Sequence, residues 1–170
     1  ADPAGTASRP VPQALRDLFE RFESGQSMLE VRVGAWRELE AAAKSIRSAV
    51  FVGEQNIPAA MEWDDADADA VHAVAFNGLG RALATGRMLE HVPGVAKIGR
   101  MAVLSDSRHG GVGRTVLEAL LDAARKRGDR EAVLHAQLGA APFYEKVGFM
   151  RRGPEFDEAG IAHVEMLRVL

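Results

Sequence analysis

From residue 29 to residue 170 the spacing of apolar positions changes repeatedly, and each change marks an element. L-E-V-R-V, from Leu29, alternates apolar and charged residues as a half-buried strand does. Trp36, Leu39, Ala43, Ile46 and Val50 then recur at three and four residues, which predicts a helix with Arg37, Glu38, Glu40, Lys44 and Arg47 on its opposite, solvated face. Regular structure should end at Pro58, because the proline also restricts Ile57, and M-E-W-D-D-A-D-A-D-A reads as an acidic loop. V-H-A-V-A-F and R-A-L-A-T-G-R-M-L are two antiparallel strands joined at the turn N-G-L-G. A second turn, His91 to Gly94, leads into a central strand, V-A-K-I-G-R-M-A-V-L. After a glycine-rich segment, Val112, Val116, Leu117, Leu120, Leu121 and Ala124 line a helix that Gly128 terminates. E-A-V-L-H-A-Q is a strand, A-A-P-F-Y-E-K-V-G-F a short helix closed by Gly148, and M-R-R-G-P-E-F and H-V-E-M-L-R-V-L are two final strands. This order predicts an α/β fold, a mixed β-sheet flanked by helices in which one strand-helix-strand unit supplies the parallel pair.

The N-terminal part is different in kind. Residues 1–12 are rich in small residues and proline and read as a mobile tail. Leu15, Leu18, Phe19 and Phe22 line a short helix that should end near Gly25. Two units follow: residues 1–27, tail and helix, and residues 28–170, one domain, with Met28 a candidate natural start. A chain of 170 residues buries a full core as a single domain. Its net charge of −3, with both signs mixed throughout, gives no broad basic footprint, so nucleic acid is not expected as a main partner. The absence of cysteine removes disulfides, thiolate metal sites and a cysteine nucleophile together. No apolar run long enough to span a membrane and no basic-then-apolar leader is visible, so the expectation is a cytoplasmic protein without a membrane partner. The apolar face of the first helix and the last strand are the candidate surfaces for a homodimer.

Chemistry concentrates between the central strand and the central helix. There Arg108, His109, Gly110, Gly111, Val112, Gly113 and Arg114 form a glycine-rich turn whose missing Cβ atoms permit positive φ and close approach of a ligand to the backbone. The N-H groups lie at the positive end of a helix between two arginines, so a phosphate or pyrophosphate is the natural occupant. The P-loop pattern G-x-x-x-x-G-K-[ST] fails here, since Arg108 stands at its first glycine and Arg114 at its lysine. A calcium loop beginning at Asp65, Asp67 and Asp69 fails at Ala70 and Phe76, where glycine and glutamate are required. No metal site is expected; Glu62, Asp64, Asp65, Asp67 and Asp69 read as a solvated loop or as an acidic rim that attracts a cationic amine.

The pattern R-x-x-G-x-G, met by Arg108, Gly111 and Gly113, resembles motif A of the GNAT superfamily of N-acetyltransferases. A second segment agrees: Ala140, Phe143, Tyr144, Gly148 and Phe149 match A-x-x-F-Y-x-x-x-G-F, one helix and one strand further on, as in that superfamily. V-F-V-x-E-Q-x-I-P, Val50 to Pro58, further resembles a bacterial branch of small GNAT proteins with mostly unassigned acceptors. The resemblance covers residues 29 to 170 and implies a GNAT-like fold, acetyl-CoA as cosubstrate bound through the glycine loop, and acetyl transfer to a primary amine of a small molecule or peptide. It implies that Tyr144 gives a proton to the departing thiolate, and that a backbone N-H within Met101, Ala102 and Val103, at a bulge that Gly99 permits, polarises the thioester carbonyl.

Two residues compete for the role of general base. Glu54 follows the first helix of the domain beside Gln55, and His135 shares a strand face with Val133 next to the central strand, where the two parallel strands splay. An exposed loop carboxylate and a hydrogen-bonded structural histidine are the respective alternatives. His72 has the same ambiguity; His91, His109 and His163 read as surface residues. A non-catalytic acyl-CoA-binding or regulatory module would keep the glycine loop without needing Tyr144.

Overall fold

The computed structural model describes residues 10–170, and of 21–27 the backbone only. The expected mobile tail falls mostly on residues 1–9, outside the described residues, as does the Phe22 side chain. The helices are α1 (Gln13–Ser27), α2 (Trp36–Arg47), α3 (Ala59–Glu62), α4 (Val112–Arg127) and α5 (Ala141–Lys146). The strands are β1 (Leu29–Ala35), β2 (Val71–Asn77), β3 (Ala82–Val92), β4 (Val95–Val103), β5 (Glu131–Gln137), β6 (Met150–Glu158) and β7 (Ile161–Val169). They form one mixed sheet in the order β1-β2-β3-β4-β5-β7-β6, in which only β4 and β5 run parallel. The α/β architecture expected from periodicity is the one observed, and no helix among the described residues is long and apolar enough to cross a membrane.

Each face of the sheet is closed by the helix whose apolar stripe fits it. α4 buries Val116, Leu117, Leu120, Leu121 and Ala124 against Ala73, Ala84, Met88, Ala96 and Ile98, and α5 joins the same cluster through Ala141 and Tyr144, with Val147 just after it. On the other face α2 packs Leu39, Ala43 and Ile46 on Val74 and Ala102. The α2 helix runs on as a π-helical turn, Ser48–Glu54, which buries Val50 and Phe51 and brings Glu54 and Gln55 to the end of β4. Leu15, Leu18 and Phe19 of α1 stay exposed in the single chain.

Two irregularities interrupt the centre of the sheet. The β4–β5 ladder consists of Val95↔Glu131 through Ile98↔Leu134 and stops there, so the strands part at Gly99 and His135. In the β3–β4 ladder Thr85 pairs with Ala102 and Arg87 with Gly99, which leaves Arg100 and Met101 opposite Gly86 alone. This bulge reverses the facing: Ala96 and Ile98 point to α4, then Met101 and Val103 return to that side while Ala102 turns to α2. The expected irregularity exists, but its left-handed residue is Arg100, at φ 50°, and not Gly99. A non-glycine residue in that conformation needs compensation. Arg100 has it: its guanidinium lies 3.3 Å from Glu62 Oε1 and 3.4 Å from Asp64 Oδ2, and donates to the Glu62 carbonyl at 3.3 Å.

The acidic segment is solvated only in part: Asp64, Asp65 and Asp69 are exposed, whereas the other two carboxylates are not. It folds into α3 and a 3₁₀ turn, Asp65–Asp69, and Glu62 and Asp67 are buried. Arg47, assigned by periodicity to a solvated face, is 1% exposed and donates to Glu62 Oε1 at 2.7 Å and Asp67 Oδ1 at 2.8 Å. Trp36 and Trp63 flank its guanidinium at 5.5 and 4.9 Å. Arg87 completes the group, bonded to Asp64 at 2.7 and 2.9 Å and to Asp67 at 2.9 Å. Three guanidinium groups thus face three carboxylates, the neutrality that burial of charge requires. His72, 1% exposed, donates from Nε2 to the Asp67 carbonyl at 2.9 Å and packs on Trp36, so its role is structural.

Candidate active site

The glycine turn follows β4 through a 3₁₀ turn, Ser105–Ser107. His109 and Gly111 have φ of 68° and 79°, and α4 starts at Val112 with Gly111 as an N-cap that has no side chain to accept from the first turn. The N-H groups of that turn therefore face outward at the positive end of the helix. A Cβ built on Gly110 or Gly111 meets nothing within 4 Å, so this backbone is open to a ligand. Gly113 has a different reason. It is helical, and a Cβ there would lie 3.0 Å from Val103 Cγ2 and 3.6 Å from Phe143 Cζ, so its absence lets α4 close on β4 and α5. Positive φ, expected of the loop glycines generally, is found at Gly111 alone among Gly110, Gly111 and Gly113. Geometry and charge fit the diphosphate of a coenzyme: unsubstituted backbone, outward amides and a helix N-terminus.

Arg108 does not face these amides. Its fork grips Glu54 through two bonds of 2.7 Å and donates to the Val103 carbonyl at 2.9 and 3.1 Å, tying the π-helical turn to the end of β4. Hydrogen bonds from Arg108 hold the Glu54 carboxyl below its ordinary range, which weakens it as a proton acceptor. His109 and Arg114 are exposed, and Arg114 lies 3.8 Å from Glu118. Met101, Ala102 and Val103 stand at and beyond the bulge, on the part of β4 that no longer pairs with β5.

Tyr144 lies on the α4 side of the sheet, 8% exposed, with Phe143 and Phe149 set edge-on against its ring at 5.0 and 5.9 Å. Burial pushes its phenol well above the ordinary range, so the group stays protonated near neutral pH and can donate but not accept a proton. Among the described residues the hydroxyl has no hydrogen-bond partner. His135 is the first β5 residue past the last parallel pair and points to the other face, with Val133 and Gln137. Gln137 and Gln55 exchange amide bonds of 2.9 and 3.4 Å across the same opening. The turn and Tyr144 thus approach the splay from one side of the sheet and His135 from the other, an arrangement that admits two reactants from opposite faces. A cavity of about 300 Å³ lined by Gly94, Val95, Arg130, Glu131 and Val169 lies at the far end of these strands and takes no part.

Sequence reading missed Arg100, Gln55, Gln137, Glu158 and His163. Arg100 left a signal, because the apolar step from Ile98 to Met101 is three residues in a strand of period two. His163, read as a surface residue, is 7% exposed, because Phe156 of β6 stacks on its ring.

Similarity to known proteins agrees with this geometry. The family described as "Acetyltransferase (GNAT) domain" matches residues 43–170. A Bacillus subtilis protein named as an uncharacterized N-acetyltransferase, YjcF, is 37% identical over 124 residues, 72% of this chain and 87% of that protein. Among solved structures, an acyl-CoA N-acyltransferase from Pseudomonas aeruginosa superposes with a TM-score of 0.73 at 30% identity, over 83% of this chain and 99% of that one. ElaA of Escherichia coli gives 0.74 at 28% identity, over 83% and 99%. With a family match over most of its length and a relative this similar, the chain belongs to the GNAT family of acetyltransferases.

Proposed function

We propose that the protein transfers an acetyl group from acetyl-CoA to a primary amine by direct attack of the amine, with the acceptor a small molecule or a peptide. The observation that carries this reading is the break between β4 and β5 after Ile98↔Leu134, with outward helix amides on one side of it and an imidazole on the other. Acetyl-CoA supplies an activated acyl carbonyl and a thiolate leaving group. In this reading the first-turn amides of α4, from Val112 to Arg114, hold the diphosphate, and the N-H groups of the Met101 to Val103 stretch polarise the carbonyl. His135 takes a proton from the amine, whose nitrogen bonds to the acyl carbon as the C–S bond breaks, and Tyr144 gives its phenolic proton to the sulfur. His135 is favoured over Glu54 as the base because Arg108 already occupies both oxygens of Glu54.

Calorimetry comparing acetyl-CoA with ATP tests the cosubstrate, and an amine screen with thiol release as readout tests the reaction. Acetyl-CoA binding with amine-dependent thiol release is expected. Binding without release for any amine would instead favour a non-catalytic acyl-CoA-binding module.

A further inference from the structure

Past the splay, β5, β7 and β6 carry a second cluster on the His135 face. His135 Nδ1 lies 3.4 Å from Glu158 Oε1, and His163 Nε2 lies 3.6 Å from Glu158 Oε2, so one carboxylate stands between two imidazoles. Phe156 packs edge-on to His135 at 5.0 Å and stacks on His163 at 5.9 Å. This placement comes from the β6–β7 register: Arg152 pairs with Glu165 and Phe156 with His163, so Gly153, at φ 79°, Pro154 and Glu155 bulge out opposite Val164. The hairpin then brings Glu158 opposite Ile161.

The remaining charges around His135 are already engaged or at a distance. Glu165 pairs directly across from it and feels its charge, as it does that of His91, but Arg152 holds its carboxylate at 2.9 Å. Lys97 of β4 stands opposite Val133, one position back on the same face. His163 Nδ1 donates to the Ile161 carbonyl at 2.7 Å, which leaves only its Nε2 toward Glu158. Among the described residues Glu158 has no arginine or lysine partner.

Resting on the acyl-transfer reading above, we propose that Glu158 is a positioning residue that fixes the tautomer of His135. A carboxylate only accepts, so the His135 nitrogen beside it, Nδ1, carries the proton, and the lone pair falls on Nε2. That nitrogen takes the proton of the attacking amine. The N–H bond breaks, its electron pair stays on the nucleophilic nitrogen, and Glu158 remains ionised beside the imidazolium that forms. The cluster gives β7 and β6, which carry none of the loop machinery, a part in the reaction.

The test combines imidazole ¹⁵N NMR with kinetics, using His135→Gln to assign the His135 signals. Wild type should show the Nδ1-H tautomer without acetyl-CoA or acceptor present. Glu158→Gln, whose amide oxygen still accepts from Nδ1, should keep that tautomer and a kcat near wild type. Glu158→Ala should lose the tautomer preference and lower kcat on the order of 10²-fold, the lower end of a general base's contribution, at unchanged KM for acetyl-CoA. Glu158 is half exposed, so both variants should fold as wild type. An Nε2-H tautomer in wild type, or a Glu158→Ala protein with unchanged spectrum and kcat, overturns the proposal. The tautomer is read without turnover, so a complete lack of acyl transfer would strike the functional reading separately.

Discussion

Tyr144 and Gly111 separate chemistry from binding at the level of single atoms. In the proposed reaction the Tyr144 hydroxyl acts on charge that develops on sulfur only as the thioester breaks, whereas its ring is held by Phe143 and Phe149. Tyr144→Phe should therefore lower single-turnover rates by on the order of 10²-fold, with acetyl-CoA affinity and thermal stability near wild type. Wild-type rates across the pH range would make Tyr144 a packing residue. At Gly111 the φ of 79° disfavours any side chain, although nothing within 4 Å would touch one. Gly111→Val should then cost roughly 1–2 kcal/mol of stability through backbone strain and weaken acetyl-CoA binding as the amides move. Gly113→Val acts by collision with Val103 and Phe143, so unfolding and binding should fall together there. Titration of acetyl-CoA into each folded variant checks both, and unaltered affinity in Gly111→Val would remove the turn from the binding site.

Among the elements, α2, α3 and β4 are joined by the buried arginine-carboxylate group, whose behaviour with pH can be derived. Hydrogen bonds from Arg87 bring Asp64 down to about 2, and in Asp67 the opposing effect of burial is outweighed by Arg47 and Arg87, so it too is lowered. Burial lowers His72. Each of these folded groups binds a proton less readily than its unfolded counterpart, so stability falls as pH falls. The His72 contribution should start to disappear below about pH 6.5, and those of Asp64 and Asp67 from about pH 4 down toward 2. Urea midpoints against pH should show both stages, and His72→Gln should flatten the first; a first stage that persists in this variant would move its origin to another group. Arg47→Met takes one guanidinium from each of Glu62 and Asp67, leaving them only Arg100 and Arg87, and should cost about 3–5 kcal/mol in urea unfolding. A loss under about 1 kcal/mol would mean that the carboxylates are solvated. None of this was legible in the acidic run, because local composition does not name the partner: Arg47 comes from α2, Arg87 from β3 and Arg100 from β4. One local signal was overlooked: eleven residues, about three turns, separate Trp36 from Arg47, which puts the arginine on the tryptophan's face and not on the opposite one assigned to it.

For the whole molecule, element order and the glycine turn were readable because period and turn chemistry are local properties. The splay was expected, since a strand-helix-strand unit fixes β4 beside β5 and the ligand loop at their carboxyl ends. What remained hidden depends on tertiary neighbours: the capture of Glu54 by Arg108, the Gln55–Gln137 bridge, and the meeting of His135 with Glu158 across a bulged hairpin. Together these elements describe a sheet opened at its centre, with the outward first-turn amides of α4 and a protonated phenol on one side and an imidazole on the other. The most direct test is product balance: incubate the protein with acetyl-CoA and a panel of primary amines, then quantify free thiol and acetylated amine in the same samples. Equal amounts of both, dependent on protein and on one class of amine, are predicted. Thiol release with no acetylated amine, or no release above the protein-free rate for every amine, would contradict the account.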